Sequence, residues 1–266
     1  MLQTVAVIAA AAAAFVAFGR LSYRSILYPA PTRGLTRAPL GGELKSFKTP
    51  DGAEVQTVIY SPRDAAACAL MFFHGNGESV ADSAGMGQLF AARGLAFVAV
   101  EYRGYGTSPA RGPSEEGLYA DAEGALAGLR ELGFSRDRIT LWGRSLGTGV
   151  AVEMERRGHA ARLLLEAPYT SIPAVAASFV PLLPTGLIIG DKFDNLAKAP
   201  HITAPTLIIH GDADGVVPYR MGKQLSETIA GAQLITVAGG GHNDLWQRAR
   251  ARLLAAVERH ARACKP

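Results

Sequence analysis

Ser145 lies in Gly143-Arg144-Ser145-Leu146-Gly147, a G-x-S-x-G pattern preceded by the apolar run Ile139-Thr140-Leu141-Trp142 and followed by a helical stretch, Leu146–Arg157. A serine hydroxyl is a weak nucleophile until a neighbouring base takes its proton. Between a strand and a helix, this pattern makes a turn so tight that the flanking positions, Gly143 and Gly147, must lack side chains. The turn strains the serine backbone, lifts the hydroxyl clear of a sheet and sets it at a helix N-terminus, where the dipole favours developing negative charge. In a glycine-rich chain the pentapeptide could arise by chance, but the strand before it and the helix after it argue against that.

The base must come from elsewhere in the chain. His242 ends Gly239-Gly240-Gly241-His242, just after the last strand-like run, Leu234–Val237, and three glycines allow a loop to carry the imidazole over the serine. The run Thr206–Ile209 leads into His210-Gly211-Asp212-Ala213-Asp214-Gly215, which supplies a carboxylate to orient that imidazole. Spacing alone leaves Asp212 and Asp214 both open, and whichever does not face the histidine would hydrogen-bond the loop backbone. The order Ser145, Asp214, His242 suits nucleophile, acid and base on a strand–turn–helix scaffold. After Ala69–Phe73 comes His74-Gly75-Asn76-Gly77, whose small residues let the backbone approach a substrate carbonyl. The N–H groups of Asn76 and Leu146 would then meet an oxyanion, and His74 would brace the loop. This chemistry needs no metal and no organic cofactor.

Positioning these groups requires a particular framework. Strand-like runs are Glu54–Tyr60, Ala69–Phe73, Leu95–Glu101, Ile139–Trp142, Leu163–Glu166, Thr206–Ile209 and Leu234–Val237. Helical stretches fall at Val80–Arg93, Glu115–Leu132, Leu146–Arg157, Tyr219–Ile229 and Asn243–Ala263. Pro50-Asp51-Gly52 makes a hairpin turn before the first of these strands, and the later alternation of strand and helix calls for a parallel sheet covered on both faces. Ligands of such sheets bind at the carboxyl ends of the strands. The fold class expected is α/β, one domain over residues 29–266.

Hydrophobic residues make up 48% of the chain and charged residues 19%, which suits a packed core and excludes a disordered chain. The net charge of +4 is too mild to imply nucleic acid. Residues 1–28 read as a membrane anchor or a signal segment: Leu2 to Gly19 is apolar apart from Gln3 and Thr4. A helix there would be about 27 Å long, close to a bilayer core of roughly 30 Å. Arg20, Arg24, Arg33 and Arg37 follow it, with Tyr23 and Tyr28 at the interface, which points to a membrane surface and a cytoplasmic catalytic domain. Cleavage near Ala12 or Ala14, leaving a periplasmic or secreted domain, is the alternative. A second basic group, Arg248 to Lys265, reads as a solvated helix face or a contact for lipid head groups. Cys68 and Cys264 offer no disulfide framework and no metal-ligand spacing. No pattern specifies an oligomer.

About forty residues separate Leu163–Glu166 from Thr206–Ile209, more than a helical connection needs. Residues 168–204 therefore read as a cap insertion. Its apolar part, Ile172 to Ile189, is broken by Pro173, Pro181 and Pro184. Phe179, Leu183 and Leu187, with Leu182 and Ile188 beside them, would line an acyl pocket, unless they merely pack on the body.

Phe73-His74-Gly75-Asn76-Gly77, Tyr102-Arg103-Gly104-Tyr105-Gly106-Thr107-Ser108, the serine turn, the Gly211–Pro218 loop and Gly241-His242 together resemble the α/β-hydrolase fold superfamily. The likeness is to small-cap, N-terminally anchored members of the serine aminopeptidase-like and lysophospholipase-like kind. It spans about residues 45–260. It implies a mostly parallel eight-stranded sheet, Asp214 rather than Asp212 as the acid, oxyanion donors at Asn76 and Leu146, and a structural role for Tyr102–Ser108 at the site rim. The expected activity is hydrolysis of a carboxylic ester or thioester with a lipid-like acyl group. The alternatives are a peptidase or amidase using the same groups, and a binding protein that keeps the fold without catalysis.

Overall fold

A computed structural model describes residues 2–31, 38–62, 68–106 and 112–264. Arg33, Arg37, Thr107, Ser108 and Lys265, singled out above, lie outside the described residues. The framework is an eight-stranded sheet: β1 (Glu43–Lys48), β2 (Glu54–Tyr60), β3 (Ala69–Phe73), β4 (Ala96–Glu101), β5 (Ile139–Arg144), β6 (Arg162–Glu166), β7 (Thr206–Gly211) and β8 (Gln233–Val237). Its order is β1-β2-β4-β3-β5-β6-β7-β8, with β1 and β2 antiparallel and the pairs from β4 onward parallel. The seven strand-like runs read from the sequence all form strands, within two residues at either end. The first strand of the hairpin, β1, carries almost no apolar signal because it is an edge strand with no buried position. Gly52 turns the hairpin at φ 82°, a conformation that costs a glycine little.

The helices are α1 (Leu2–Leu27), α2 (Ala84–Ala91), α3 (Glu115–Glu131), α4 (Gly147–Arg156), α5 (Ile172–Phe179), α6 (Thr185–Ile188), α7 (Asn195–Lys198), α8 (Tyr219–Thr228) and α9 (Leu245–Arg262). The stretch expected as one helix over Val80–Arg93 splits into a 3₁₀ turn, Val80–Ser83, and α2. Asp82 accepts from the Ser79 amide at 2.8 Å and closes that turn on itself. Residues alternate across the sheet as strand geometry requires. On β5, Ile139 and Leu141 join a core shared with α3, α4 and α8, while Trp142 joins the opposite core with Phe90 of α2 and Leu253 and Val257 of α9. Both faces are thus covered, which is why the central strands read as unbroken apolar runs.

The cysteines, from which no framework was expected, are joined. Cys68, just before β3, and Cys264, just after α9, form a disulfide with their Cα atoms 6.2 Å apart, across a sequence separation of 196. No short spacing announces such a pair; packing of α9 back over the sheet creates it. The bond closes most of the chain into a loop, so its loss is expected to lower stability by about 2–5 kcal/mol. Urea unfolding with and without a thiol reductant measures this. The midpoint of the oxidised protein should fall on reduction, and that of the Cys68→Ala, Cys264→Ala variant should ignore the reductant. Identical midpoints for oxidised and reduced wild type would remove any stabilising role.

Among the described residues, no helix is long and apolar enough to cross a membrane, so the transmembrane expectation finds no support there. The C-terminal end of α1 instead rests on the body. Arg24 donates to Asp191 through Nε (2.9 Å) and Nη2 (3.1 Å), and the Tyr28 hydroxyl donates to the same carboxylate at 3.1 Å. The chain between β6 and β7 holds α5, α6 and α7, and α6 packs against α1.

Candidate active site

The strand order reverses at β3, which is flanked by β4 on one side and β5 on the other. A crevice opens at such a switch point, between the carboxyl ends of the two diverging strands. Here those ends carry His74-Gly75-Asn76 and Arg144-Ser145 side by side, since Phe73 pairs with Gly143. Ser145 has φ 48°, a left-handed conformation that costs a non-glycine residue about 1–3 kcal/mol. Neighbouring backbone holds it there: its N–H donates to the Glu166 carbonyl at 2.9 Å and its carbonyl accepts from Thr148 at 2.9 Å. A methyl group at Gly143 would run into the Gly147 carbonyl, and one at Gly147 into the Phe73 carbonyl. The third glycine, Gly149, yields to different neighbours: a methyl there would strike the Tyr169 hydroxyl and the Phe193 ring. It therefore lets α4 approach the chain after β6, not the sheet.

The imidazole of His242 bridges Ser145 and Asp214. Its Nε2 is 3.0 Å from Ser145 Oγ, and its Nδ1 is 2.8 Å from Asp214 Oδ2. A carboxylate can only accept, so Nδ1 carries the proton and Nε2 is left as acceptor for the serine hydroxyl. The other carboxylate oxygen, Asp214 Oδ1, accepts from the amides of Val216 and Val217, both at 2.8 Å. His210 Nε2 lies 3.4 Å from Asp214 Oδ2. Burial pushes the Asp214 carboxyl up, but the hydrogen bonds from His210 and His242 outweigh it and hold the group well below the usual carboxylate range. Asp212 does something else: it is exposed, and its Oδ1 accepts from the Gly239 amide at 2.6 Å, bracing the loop that carries the histidine.

The amides of Asn76 and Leu146 have no acceptor among the described residues, and both residues line the same cavity as Ser145. The Asn76 side chain is pinned on two sides, donating to the Leu27 carbonyl at 2.6 Å and accepting from the Tyr105 hydroxyl at 2.9 Å. His74 is buried, with Nε2 3.2 Å from Glu101 and its carbonyl accepting from Tyr102, which suits a bracing role. Two contributors were not read from the sequence. His210 looks like an ordinary core residue at the end of a strand, yet it touches the acid. Arg144, the variable residue before the serine, reaches Glu78 (2.6 Å), Glu166 (3.5 Å) and Asn243 (3.1 Å). Glu78 in turn accepts from the Gly75 amide at 2.8 Å, so one guanidinium ties the Asn76 loop to the residue after His242. Nothing in local sequence distinguishes these from surface charge.

Ser145, Asn76 and Leu146 open on an apolar cavity of about 500 Å³. Val175 of α5, Val180, and Leu183 and Ile188 between β6 and β7 line it, as does Val216 of the loop after β7. Phe179, Leu182 and Leu187, expected in this lining, are outside it and are 59%, 97% and 62% exposed. Successive helical residues point about 100° apart, so Ile188 facing inward turns Leu187 outward. Phe179 is the last residue of α5 and faces solvent, while its neighbour Val180 faces the cavity. In an almost wholly apolar segment, periodicity does not mark the inner face.

Comparison with known proteins gives concordant matches. A family model described as serine aminopeptidase, S33, matches residues 64–188, and one described as TAP-like protein matches residues 191–255. An uncharacterized protein of Mycobacterium tuberculosis is 31% identical over 91% of this chain and 88% of its own. Alpha/beta hydrolase domain-containing protein 17B of Homo sapiens is 32% identical over 74% of this chain and 68% of its own. Among solved structures, the Pyrococcus furiosus esterase Pf2001 superposes with TM-score 0.72 at 16% identity, covering 88% of this chain and 99% of that one. Porphyromonas gingivalis dipeptidyl peptidase 4 superposes with TM-score 0.70 at 19% identity, over 84% of this chain and 35% of that one. At these identities the structural likeness concerns the fold.

Proposed function

Since this chain belongs to the α/β-hydrolase superfamily, we propose that it is a serine hydrolase acting on carboxylic esters or thioesters with an apolar acyl group. The observation that carries this reading is the unbroken run from Asp214 through His242 to Ser145, 2.8 Å and 3.0 Å per link, ending at the floor of an apolar cavity. As His242 Nε2 takes the hydroxyl proton, Ser145 Oγ bonds to the acyl carbon. The carbonyl oxygen becomes an anion, met by the amides of Asn76 and Leu146; each such donor is worth roughly 3–4 kcal/mol of barrier. Collapse of the tetrahedral species breaks the bond to the alcohol or thiol, which leaves with the proton from His242. Water, deprotonated by the same imidazole, then attacks the acyl-serine; the acid leaves and Ser145 recovers its proton.

The peptidase alternative draws on the aminopeptidase family model. An aminopeptidase needs an anionic group to hold the substrate's terminal ammonium. No Asp or Glu is among the described residues lining the cavity, which favours the ester reading.

A fluorophosphonate probe tests the reaction class. Wild type should gain one phosphonyl group, located by mass spectrometry on the peptide containing Ser145. p-Nitrophenyl butyrate and octanoate should turn over, and aminoacyl anilides should not. Native protein that takes up no probe, or that prefers the anilides, would defeat the reading.

A further inference from the structure

One wall of the cavity comes from a segment that the sequence presents as separable. Tyr23, Ile26 and Leu27, in the last turns of α1, line the cavity that holds Ser145. The fit against the cap is close: a methyl group at Gly19 would press on the Ile188 side chain, and one at Gly190 would touch the Tyr23 hydroxyl. Three polar ties hold this end of the helix. Two meet at Asp191, only 6% exposed, which receives the two-pronged guanidinium of Arg24 and the hydroxyl of Tyr28. A paired guanidinium fixes direction as well as distance. The third tie runs to the oxyanion loop. The last carbonyls of a helix lack partners within it, and here that of Leu27 accepts from the Asn76 side chain at 2.6 Å. The same residue thus offers its amide to the reaction and its side chain to α1.

We infer that the end of α1 is the acyl-chain wall of this site, and that the Arg24–Asp191–Tyr28 clamp holds it in register with the oxyanion loop, so that residues 23–28 help set which acyl lengths are accepted. The inference rests on the acyl-ester reading of Ser145. An acyl carbon at Ser145 directs its chain between Leu27 and Ile26 on one side and Leu183 and Ile188 on the other. Ile26, 79% exposed, stands at the mouth, where only longer chains reach it. Removal of residues 1–28 would open the cavity along this side, so the segment is part of the catalytic unit.

The test compares kcat/KM for p-nitrophenyl butyrate and decanoate in full-length protein. Ile26→Trp narrows the mouth, and the decanoate-to-butyrate ratio should fall at least about tenfold, the worth of two buried methylenes. Ile26→Ala, which does not crowd the helix, should lower the ratio about threefold through lost contact with the chain end. Arg24→Gln, which breaks the clamp, should lower it through KM for decanoate. Leu21→Trp is the control: Leu21 is 86% exposed on the same helix and off the cavity, so the ratio should match wild type. Fluorophosphonate labelling of each variant reports a folded, reactive site. If wild type and variants label while both Ile26 variants keep the wild-type ratio, the wall is wrong and the serine hydrolase stands. If wild type neither labels nor hydrolyses esters, the reading of Ser145 falls and takes this inference with it.

Discussion

Ser145→Ala is expected to lower kcat for ester hydrolysis by about 10⁶-fold, His242→Ala nearly as far, and the double variant no further than either alone. The reason is geometric. On the serine hydrolase reading, the imidazole is useful only because the Ser145 hydroxyl lies 3.0 Å from its Nε2, and the hydroxyl is reactive only because the imidazole is there. Removing either group ends the same proton transfer, so the losses cannot add. Some catalysis should survive in all three variants, because the free amides of Asn76 and Leu146 and the apolar cavity remain to bind a substrate and polarise its carbonyl. Initial rates on p-nitrophenyl butyrate, with active-site titration to exclude contaminating wild type, measure the effect. A double variant many-fold worse than both singles would mean that the two side chains act in separate steps.

Asp214→Asn is the second large effect, about 10⁴-fold in kcat, against less than about threefold for Asp212→Asn. Atom by atom, the surroundings of Asp214 explain the contrast. Its Oδ1 accepts two amide hydrogens, from Val216 and Val217, so an asparagine there must keep its oxygen at that position. The NH₂ group then faces Nδ1 of His242 and Nε2 of His210 where a carboxylate oxygen had been. His242 can meet a donor at Nδ1 only by moving its proton to Nε2, which removes the acceptor Ser145 needs. At Asp212, an asparagine oxygen can still accept from Gly239, so the loop keeps its brace. Equal losses at the two positions would overturn the assignment of the acid.

The same contacts predict a pH effect on stability. The Asp214 carboxyl is held below its ordinary value of 3.8 in the fold, so the unfolded chain binds its proton first. Its stabilisation is complete above the ordinary carboxylate range and is lost as pH falls through and below it. Acid unfolding of Asp214→Asn should therefore be less steep there than that of wild type.

Much of this architecture follows from local pattern. Strands β2 to β7 are runs whose side chains are mostly buried on both faces, and burial on both faces leaves a continuous apolar signature that needs no knowledge of neighbours. The Ser145 turn is legible for a related reason: glycines at 143 and 147 are demanded by backbone atoms within a few residues or on the adjoining strand. Edge strand β1 is weakly legible because it is only partly buried, through Leu44 and Phe47, and the helix expected from Val80 begins as a 3₁₀ turn closed by Ser79 and Asp82.

What the amino-acid order determined by itself was the set of chemical groups and the order in which the fold could present them: a serine on a strand-to-helix turn, a carboxylate after the penultimate strand and a histidine after the last. These are short-range facts, written in glycine placement and hydrophobic period. Spacing left two aspartates open and resemblance favoured Asp214; tertiary structure alone decided that His210 and Arg144 support the site, that Cys68 and Cys264 meet, and that α1 walls the cavity from which Phe179 and Leu187 turn away. Most of these depend on atoms far apart in sequence, 196 residues for the cysteines and 49 for Asn76 and Leu27. Hydrogen-bond direction and side-chain facing are settled by a few ångströms and a rotation of about 100°, below what spacing along a chain can specify.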